Sequence, residues 1–534
     1  MTDVLVVGAG PVGLTAALWL ADGGASVVVV ETATRPGDLP RAISIADETF
    51  RIMERLGIAD DLKAESLLDT GSRYFGLNDR LLASSKPVPS RIGHPAKSQF
   101  DQPVLEALLW ERAVRHDRIE LLTGVTAVAI EQDDESVAVT VRTEGGAART
   151  RVLRASWLVG ADGGRSFTRD ALGVRLVGST QQERWIVIDL VNVPEVRAPY
   201  AEFHGNGRRP YVLVPGIKGR LRVEYMLFDD EDPDAMTTTE AIVDLARPLH
   251  PGIVPEDIRR AVVYVAHQRI AEHYRAGRAF LVGDAAHLMP PFSGQGLNAG
   301  LRDAVNIAWK LLEVIRGGGT ERLLDSYETE RRAHGAKMVT ISRRTGAVVM
   351  ATGRVRPRLR DAAFRTVSVI PAIHRYLSSM RFITPPDYSR GVAVRPRGVD
   401  HRLAAWVGRA VSQPLVSDAA GNRSGLDARL GSGWAVLAIG PARGDAVAAL
   451  DGYWTRLGAK LLRLVDDPAA APTGAELVDR TGSLTGVAEL AETHYVVVRP
   501  DKYVAAVFTA AGEHRVVAAL QRFDAPRVSM RRAE

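Results

Sequence analysis

A glycine-rich segment near the amino terminus, Gly8-Ala9-Gly10-Pro11-Val12-Gly13, has the G-x-G-x-x-G spacing of nucleotide-binding turns. Gly8 would permit the tight turn, Gly10 would let a pyrophosphate approach the backbone, and Gly13 would let a helix pack closely on a strand. A helix that begins at Pro11 would present free N–H groups and a partial positive charge to the phosphates. Glu31 follows where an acidic side chain can accept hydrogen bonds from both ribose hydroxyls of an adenosine, and its charge would repel a 2′-phosphate. We therefore predict a site for FAD or NAD rather than NADP.

A second group of residues lies around a predicted strand end and the start of a long predicted helix. Gly283-Asp284 follows the apolar run from Phe280 to Val282, and a carboxylate at the end of such a strand can accept hydrogen bonds from ribityl hydroxyls. Pro290-Pro291 predicts a stiff loop without backbone donors. A long predicted helix follows and ends at Gly317 to Gly319, and its start would stabilise the negative charge of a reduced isoalloxazine. The residues at this helix start that we assign to the cofactor site are Gly294, Gly296, Leu297 and Asn298.

The elements that must position the glycine-rich turn are two strands and a helix. Val4 to Val7 and Val27 to Val30 are β-branched apolar runs, which are typical of strands buried on both faces. The uncharged run from Val4 to Ala21 has the length of a membrane span. Glycines and Pro11 interrupt it, however, so a strand, a turn and a buried helix are the better interpretation. We expect a cytoplasmic protein without a membrane segment.

Two later regions have patterns of their own. Residues 180–265 contain apolar and aromatic runs that are typical of a sheet, namely Trp185 to Val191, Tyr211 to Val214 and Leu221 to Leu227. Pro385-Pro386 and the Arg- and Pro-rich stretch after it indicate a domain boundary. Beyond it we predict strands at Trp434 to Ile439 and Leu461 to Val465, a hairpin of Tyr495 to Arg499 and Tyr503 to Phe508, and a helix to about Arg522.

Composition excludes several classes of function. The chain has 534 residues, which is enough for two or three domains. It has no cysteine, which excludes a disulfide scaffold, a thiolate metal centre and a thiol nucleophile, and we predict no metal site. Arginines outnumber lysines 60 to 8 and are scattered along the chain, so the net charge of +5 indicates a basic surface rather than a nucleic-acid arm.

Three motifs together resemble the signatures of the single-component FAD-dependent aromatic hydroxylases, the group of p-hydroxybenzoate hydroxylase and phenol hydroxylase. They are the glycine-rich turn, the Asp-Gly segment at residues 158–169, and the Gly-Asp segment at residues 277–300. The resemblance implies an α/β fold with a Rossmann-like FAD-binding domain, an inserted substrate-binding β-sheet domain and a C-terminal thioredoxin-like domain. The expected divisions are 1–180, with a lid segment near 72–98, then 181–265, 266–390 and 391–534. Without cysteine, the last domain is expected to be structural or a subunit contact.

The resemblance also implies an activity. NADPH, with NADH as the alternative, would reduce a non-covalently bound FAD, and O2 would then form a flavin C4a-hydroperoxide that hydroxylates a phenolic or polyketide-type ring. The segment from Met380 to Tyr388 resembles the 3-(3-hydroxyphenyl)propionate hydroxylase branch, whereas the Ala- and Arg-rich composition is common among polyketide-tailoring hydroxylases. A Baeyer–Villiger oxygenase, an epoxidase or a non-catalytic flavin-binding sequestration protein would share the same motifs. The expected partners are a small aromatic substrate and O2, with no nucleic acid and no membrane, and a homo-oligomer is compatible with the sequence.

Candidate site residues follow from the resemblance and from the substrate chemistry. Arg41 and Gln102 match positions that the family places against the flavin, and Val125 is assigned to the cofactor site with them. Asp162 and Arg165 are implied to contact FAD and the path of NADPH. A phenol needs an acceptor that helps its hydroxyl to ionise, and the sequence does not choose among Asp47, Tyr211 and His267. Arg41 and Pro291 complete the catalytic candidates, and Arg222, Tyr225 and Tyr264 are further candidates for lining the substrate cavity.

Overall fold

The computed structural model describes residues 1–143, 149–194, 197–290, 294–349, 351–353, 355–380, 385–441, 447, 450–465, 476–484 and 490–525. Within these ranges, no helix is long and apolar enough to cross a membrane. The strands are β1 (Thr2–Val7), β2 (Val27–Glu31), β3 (Ser44–Ala46), β4 (Ser66–Leu67), β5 (Gly71–Phe75), β6 (Leu81–Ser85), β7 (Lys97–Phe100), β8 (Ile119–Thr123), β9 (Val125–Gln132), β10 (Val137–Thr143), β11 (Thr150–Gly160), β12 (Leu176–Leu190), β13 (Tyr200–His204), β14 (Tyr211–Pro215), β15 (Leu221–Leu227), β16 (Ile258–Ala271), β17 (Arg275–Ala276), β18 (Ala279–Leu281), β19 (His287–Leu288), β20 (Leu415–Ser417), β21 (Arg423–Gly425), β22 (Ala435–Ile439), β23 (Lys460–Val465), β24 (Glu476–Asp479), β25 (His494–Val498) and β26 (Val504–Phe508). The helices are α1 (Pro11–Asp22), α2 (Asp47–Arg55), α3 (Ala59–Ala64), α4 (Gln102–Val114), α5 (Phe167–Ala171), α6 (Pro233–Met236), α7 (Thr239–Ala246), α8 (Gly296–Ile315), α9 (Glu321–Val349), α10 (Arg356–Ser368), α11 (Pro371–Ser378), α12 (His401–Ala404), α13 (Leu426–Leu430), α14 (Gly452–Leu457) and α15 (Glu513–Gln521).

The N-terminal sheet is built around parallel strands in the order β18-β11-β1-β2-β8. Its central strand β1 is buried on both faces, which explains the unbroken run of Val and Leu in its sequence. The uncharged run after β1 forms the turn and the buried helix α1, whose side chains share one core with those of α8. The strand, turn and helix expected from the sequence are all present.

The second sheet has eight strands in the order β19-β16-β12-β15-β14-β13-β5-β6. Both expected boundaries of the inserted sheet, after residues 180 and 265, fall inside its two longest strands, β12 and β16, which pair with each other antiparallel. Part of the expected lid segment, β5 and β6, extends the far edge of the sheet. The second sheet therefore extends beyond the expected bounds 181–265 at both ends.

The two faces of the second sheet differ in what covers them. One face packs an apolar cluster against α7, and this cluster includes Ile186, Leu213, Val223 and Tyr225. The opposite face carries Trp185, Phe203, Val212, Val214 and Met226. Because successive side chains of a strand point to opposite faces, residues of the same parity on one strand share a face. This alternation decides which side chains reach the cavity described below.

In the residues that the structure describes, the C-terminal unit is a seven-stranded sheet in the order β21-β20-β24-β23-β22-β25-β26. Strands β22, β23 and β24 run parallel, and the hairpin of β25 and β26 is followed by α15, as the sequence predicted. Buried ion pairs fix this unit to the rest of the chain. Glu330 on α9 accepts hydrogen bonds from Arg499 at 2.7 Å and from Lys310 at 2.9 Å. Arg51 on α2 donates a hydrogen bond to Asp427 at 2.6 Å.

Candidate active site

The glycine-rich turn has three glycines with three different environments. Gly8 has a φ of +104°, and a Cβ there would lie 2.5 Å from the carbonyl oxygen of Ala161. A Cβ on Gly13 would lie 1.9 Å from the carbonyl oxygen of Gly8. Only glycine at this position therefore allows α1 to pack against the turn. A Cβ on Gly10 would meet no atom within 4 Å. Gly8 and Gly13 therefore shape the turn, while Gly10 leaves open space for a ligand in front of the start of α1.

Glu31 lies at the end of β2 beside this turn. Its carboxylate accepts hydrogen bonds from the backbone N–H groups of Ala9 at 2.7 Å and Ala33 at 2.8 Å. Thr123 pairs with Glu31, and Val125 begins the next strand two residues later as part of a buried cluster. Glu31 and Val125 thus lie close to each other at one end of the turn, and neither is among the residues that line the cavity described next.

A large cavity opens between the N-terminal layer and the second sheet. Its volume is about 540 Å³, which lies within the usual range of small-molecule and cofactor sites. One wall comes from the N-terminal layer and includes Gly10, Pro11, Val12, Arg41, Gln102, Asp284, Gly294, Gly296 and Leu297. The other wall comes from the second sheet and includes Tyr74, Phe203, Val212, Glu224, Tyr264 and His267.

Asp284 presents its carboxylate to this cavity. The side chain is accessible from the cavity but otherwise surrounded by protein, and burial raises its pKa against the opposing effects of His287 and Arg41. No described residue donates a hydrogen bond to it. Its loop is held from behind, because Asp303 accepts hydrogen bonds from the backbone N–H of Gly283 at 3.1 Å and from His287 at 2.7 Å. Asp284 is therefore positioned to receive hydroxyl groups of a ligand.

The loop that carries Arg41 is fixed at several points. Gln102 accepts a hydrogen bond from the backbone N–H of Ala42 at 2.6 Å and donates one to Glu106 at 2.6 Å. Arg222 donates to the carbonyl oxygens of Arg41 and Pro40. The backbone of the loop is thus held, while the Arg41 side chain is exposed at the cavity mouth.

Asn298 and Asp162, both assigned to the cofactor from sequence, have their side chains engaged by protein. Asn298 accepts from the backbone N–H of Ala46 and from Thr49, and it donates to the carbonyl oxygens of Ser44 and Gly294. Asp162 accepts from the Ser166 hydroxyl at 2.5 Å and the Thr168 N–H at 2.7 Å. Both side chains therefore shape the loops around the cavity, whose lining includes the neighbouring residues Ala161, Gly163 and Leu297.

Of the three candidates for activating a phenol, the structure places His267 on the cavity wall. His267 lines the cavity, contacts Thr180 at 2.9 Å, and has its pKa lowered by burial and by Arg269. Tyr211 points to the opposite face of the second sheet, where its ring stacks on His204 with centroids 4.2 Å apart. Asp47 begins α2, accepts a hydrogen bond from Ser90 at 2.7 Å, and lies outside the cavity lining. Pro291 lies outside the described residues.

Of the other residues expected to line the cavity, Arg222 and Tyr264 do so and Tyr225 does not. Tyr225 faces α7 and donates its hydroxyl to the carbonyl oxygen of Leu245 at 2.8 Å. Arg165 is exposed.

Glu224, which the sequence reasoning missed, is a buried carboxyl on the cavity wall. It lies two residues after Arg222 on β15, so strand alternation puts both on the same face. Burial raises its pKa, Arg222 opposes the rise, and the Tyr264 hydroxyl donates to it at 3.3 Å. Residues two apart on a strand share a face, so the candidate Arg222 on the same strand could have pointed to Glu224.

The protein-family comparison matches residues 1–342 to an FAD-binding domain family and residues 408–523 to the HcaD C-terminal domain. A 3-(3-hydroxyphenyl)propionate/3-hydroxycinnamic acid hydroxylase of Burkholderia cenocepacia is 37% identical over 98% of this chain and 97% of its own length. The hydroxylase of the same name from Mycolicibacterium smegmatis is 36% identical over 94% of this chain and 90% of its own length. The chain belongs to the FAD-dependent aromatic hydroxylases.

Among solved structures of this hydroxylase family, aklavinone-11 hydroxylase in a ternary complex with FAD and aklavinone is 26% identical. Its structure aligns with a TM-score of 0.76 over 98% of both chains. The predictions of the fold class, of FAD as the cofactor and of an aromatic hydroxylase are confirmed.

The cavity of this hydroxylase fits FAD on grounds independent of the family match. Gly10 leaves room for a pyrophosphate at the start of α1, and Asp284 offers a carboxylate without a donor among the residues described. The cavity is also lined by both layers, so a ligand held by the N-terminal wall would face the second sheet. The N-terminal wall therefore fits FAD, and the wall of the second sheet faces it across the cavity.

Proposed function

We propose that the protein uses NADPH and O2 to hydroxylate the ring of a small phenol with an acidic side chain, of the 3-(3-hydroxyphenyl)propionate class. The relatives named for this substrate are 36–37% identical over at least 94% of the chain. The relative that binds the polyketide aklavinone is 26% identical. The higher identity supports the smaller substrate class.

The observation that carries this proposal is the buried carboxyl group of Glu224 on the cavity wall formed by the second sheet. We assign this wall to the substrate. A raised pKa makes a carboxylate a stronger base, which suits it to accept the proton of a phenol hydroxyl. Tyr264 orients the group by donating a hydrogen bond to it. Loss of the phenol proton would make the ring more electron-rich at the positions beside the oxygen, which is where we propose the new hydroxyl enters.

Other residues of the cavity divide the remaining tasks. Bound FAD supplies electron transfer from the nicotinamide and the activation of O2. Gly10 and the start of α1 would hold the pyrophosphate, and Asp284 would accept hydrogen bonds from ribityl hydroxyls. The exposed guanidinium of Arg41 at the mouth would contact a phosphate of NADPH. Because the chain has no cysteine for a thioether link, we propose that FAD is bound non-covalently.

The test is to measure NADPH oxidation by the holoenzyme in air, with and without 3-(3-hydroxyphenyl)propionate, and to identify products by mass spectrometry. We expect substrate to stimulate oxidation and the product to gain one oxygen atom. Oxidation without a hydroxylated product would overturn the proposed substrate. Turnover of a polyketide phenol but not of the phenolic acid would reassign the substrate and leave the hydroxylase class in place.

A further inference from the structure

Lys97 is a lysine that faces the substrate cavity without a carboxylate partner. It begins β7, and its ammonium donates hydrogen bonds to the Ser72 hydroxyl at 2.8 Å and to the Gly71 carbonyl oxygen at 3.4 Å. In the part of the chain that the structure describes, it makes no salt bridge. By contrast, the buried Lys310 lies 2.9 Å from Glu330, and the exposed Lys218 lies 2.6 Å from Glu65.

The environment of Lys97 makes this arrangement unfavourable without a ligand. Burial lowers the pKa of Lys97 to about 8, and no charged group is among the causes of the shift. The side chain is accessible from the cavity, so its remaining hydrogen-bonding capacity faces the space where a ligand would bind. An unpaired buried cation is costly, and an anionic group of a ligand would remove that cost.

The strand register locates Lys97 relative to Glu224. Glu224 pairs with Val212, Val212 pairs with Phe203, and Phe203 pairs with Tyr74 on β5. Ser72, the partner of Lys97, lies on the same face of β5, two residues before Tyr74. Three strand spacings separate β15 from β5, which is roughly 14 Å.

The side chains between these two ends are apolar. Val212 and Val214 on β14 and Ala201 and Phe203 on β13 line the cavity between Glu224 and Ser72. The wall therefore has a carboxyl group at one end, an apolar middle and an ammonium at the other end. A ligand complementary to it has a hydroxyl, a ring and an anion in that order.

We propose that Lys97, held by Ser72, binds the carboxylate of the substrate and so selects phenols that carry an acidic side chain. This inference rests on the proposed function, in which the phenol hydroxyl lies at Glu224. Lys97 thereby sets how far from the hydroxylated ring the anionic group must be.

The test compares 3-(3-hydroxyphenyl)propionate with 3-propylphenol, which has a side chain of the same length but no charge. Dissociation constants are measured by the change in flavin absorbance when each ligand is added to the holoenzyme, so the result does not depend on turnover. Lys97→Met should weaken binding of the acid by about 10- to 100-fold, the range of one lost charged hydrogen bond. Binding of 3-propylphenol should change less than about threefold. The matched control is Lys460→Met, at an exposed position of β23, which should change neither.

A pH titration provides a second measurement that does not require the variant to fold. In the wild-type protein, binding of the acid should weaken as pH rises above about 8, where free Lys97 loses its proton, while binding of 3-propylphenol should not. Lys97→Arg should move this loss to higher pH. Equal weakening of both ligands by Lys97→Met, or a pH dependence shared by both ligands, would overturn the role of Lys97. Tight, Lys97-dependent binding of the acid without hydroxylation would instead overturn the proposed function and retain the anion site.

Discussion

The guanidinium of Arg222 and the carboxylate of Asp189 face each other on the neighbouring strands β15 and β12, with Nε 2.6 Å from Oδ1. Both side chains are buried. The same guanidinium donates to the carbonyl oxygens of Pro40 at 2.7 Å and Arg41 at 2.6 Å. One buried ion pair therefore connects the sheet that lines the substrate cavity to the loop that carries Arg41.

Replacing Arg222 with Met should destabilise the protein by about 3 kcal/mol, because removal of one partner leaves the Asp189 carboxylate buried. Arg260, 4.0 Å from Asp189, is too distant to replace the lost hydrogen bonds. Thermal unfolding followed by flavin fluorescence measures the change. The double variant with Asp189→Asn should recover part of the loss, since no buried charge is then left unpaired. A single variant that melts at the wild-type temperature would contradict the coupling.

Asp284→Ala should weaken FAD binding by about 1.5–3 kcal/mol, the contribution of a hydrogen bond to a charged group. The fold should survive, because the carboxylate faces the cavity and makes no hydrogen bond to a described residue. Titration of the apoprotein with FAD measures the affinity. Asp117→Ala, at an exposed position, is the control and should bind FAD as the wild type does. Unchanged affinity in Asp284→Ala would remove this residue from the cofactor site.

Glu224→Gln should lower kcat/KM for the phenolic acid by about 100-fold or more, the usual contribution of a general base. In the wild type, kcat/KM should fall as pH drops through the raised pKa of Glu224, because the protonated carboxyl cannot accept the phenol proton. The Gln variant should lack this acidic limb, and a pH–rate profile measures it. Tyr225→Phe, on the opposite face of the same strand, is the control. An acidic limb that persists in Glu224→Gln would show that another group is the general base. His267, which also lines the cavity, would then be the next candidate.

Arg41→Ala should slow the reduction of bound FAD by NADPH while FAD content and substrate affinity stay near wild-type values. The backbone of the loop is held by Gln102 and Arg222, so the substitution removes the exposed guanidinium and leaves the loop in place. Anaerobic stopped-flow reduction with substrate present measures the rate. Arg118→Ala, another exposed arginine, should change it less than about twofold. Reduction at the wild-type rate would show that Arg41 has no part in the reaction with NADPH.

The cofactor-binding layer of this protein could be predicted from local patterns in the sequence. The spacing of Gly8 and Gly13 leaves few backbone conformations, because Gly8 has a positive φ and a Cβ on Gly13 would meet the carbonyl oxygen of Gly8. The valine runs of β1 and β2 and the long apolar period of α8 are equally local signals. Such features depend on residues close together in the chain, so the pattern of one sequence carries them.

Which polar side chains share the substrate cavity depends instead on how distant parts of the chain pack together. Tyr211 and Glu224 lie on paired strands, and the register puts the tyrosine on the outer face and the glutamate in the cavity. Asp162 and Asn298 had the residue types of ligand contacts, yet hydrogen bonds to nearby backbone use their side chains. Lys97 had no motif around it and gains its position only because β7 begins beside Ser72 of β5. Face, register and partner are set by strand pairing between distant segments, which a single sequence does not encode in any local pattern.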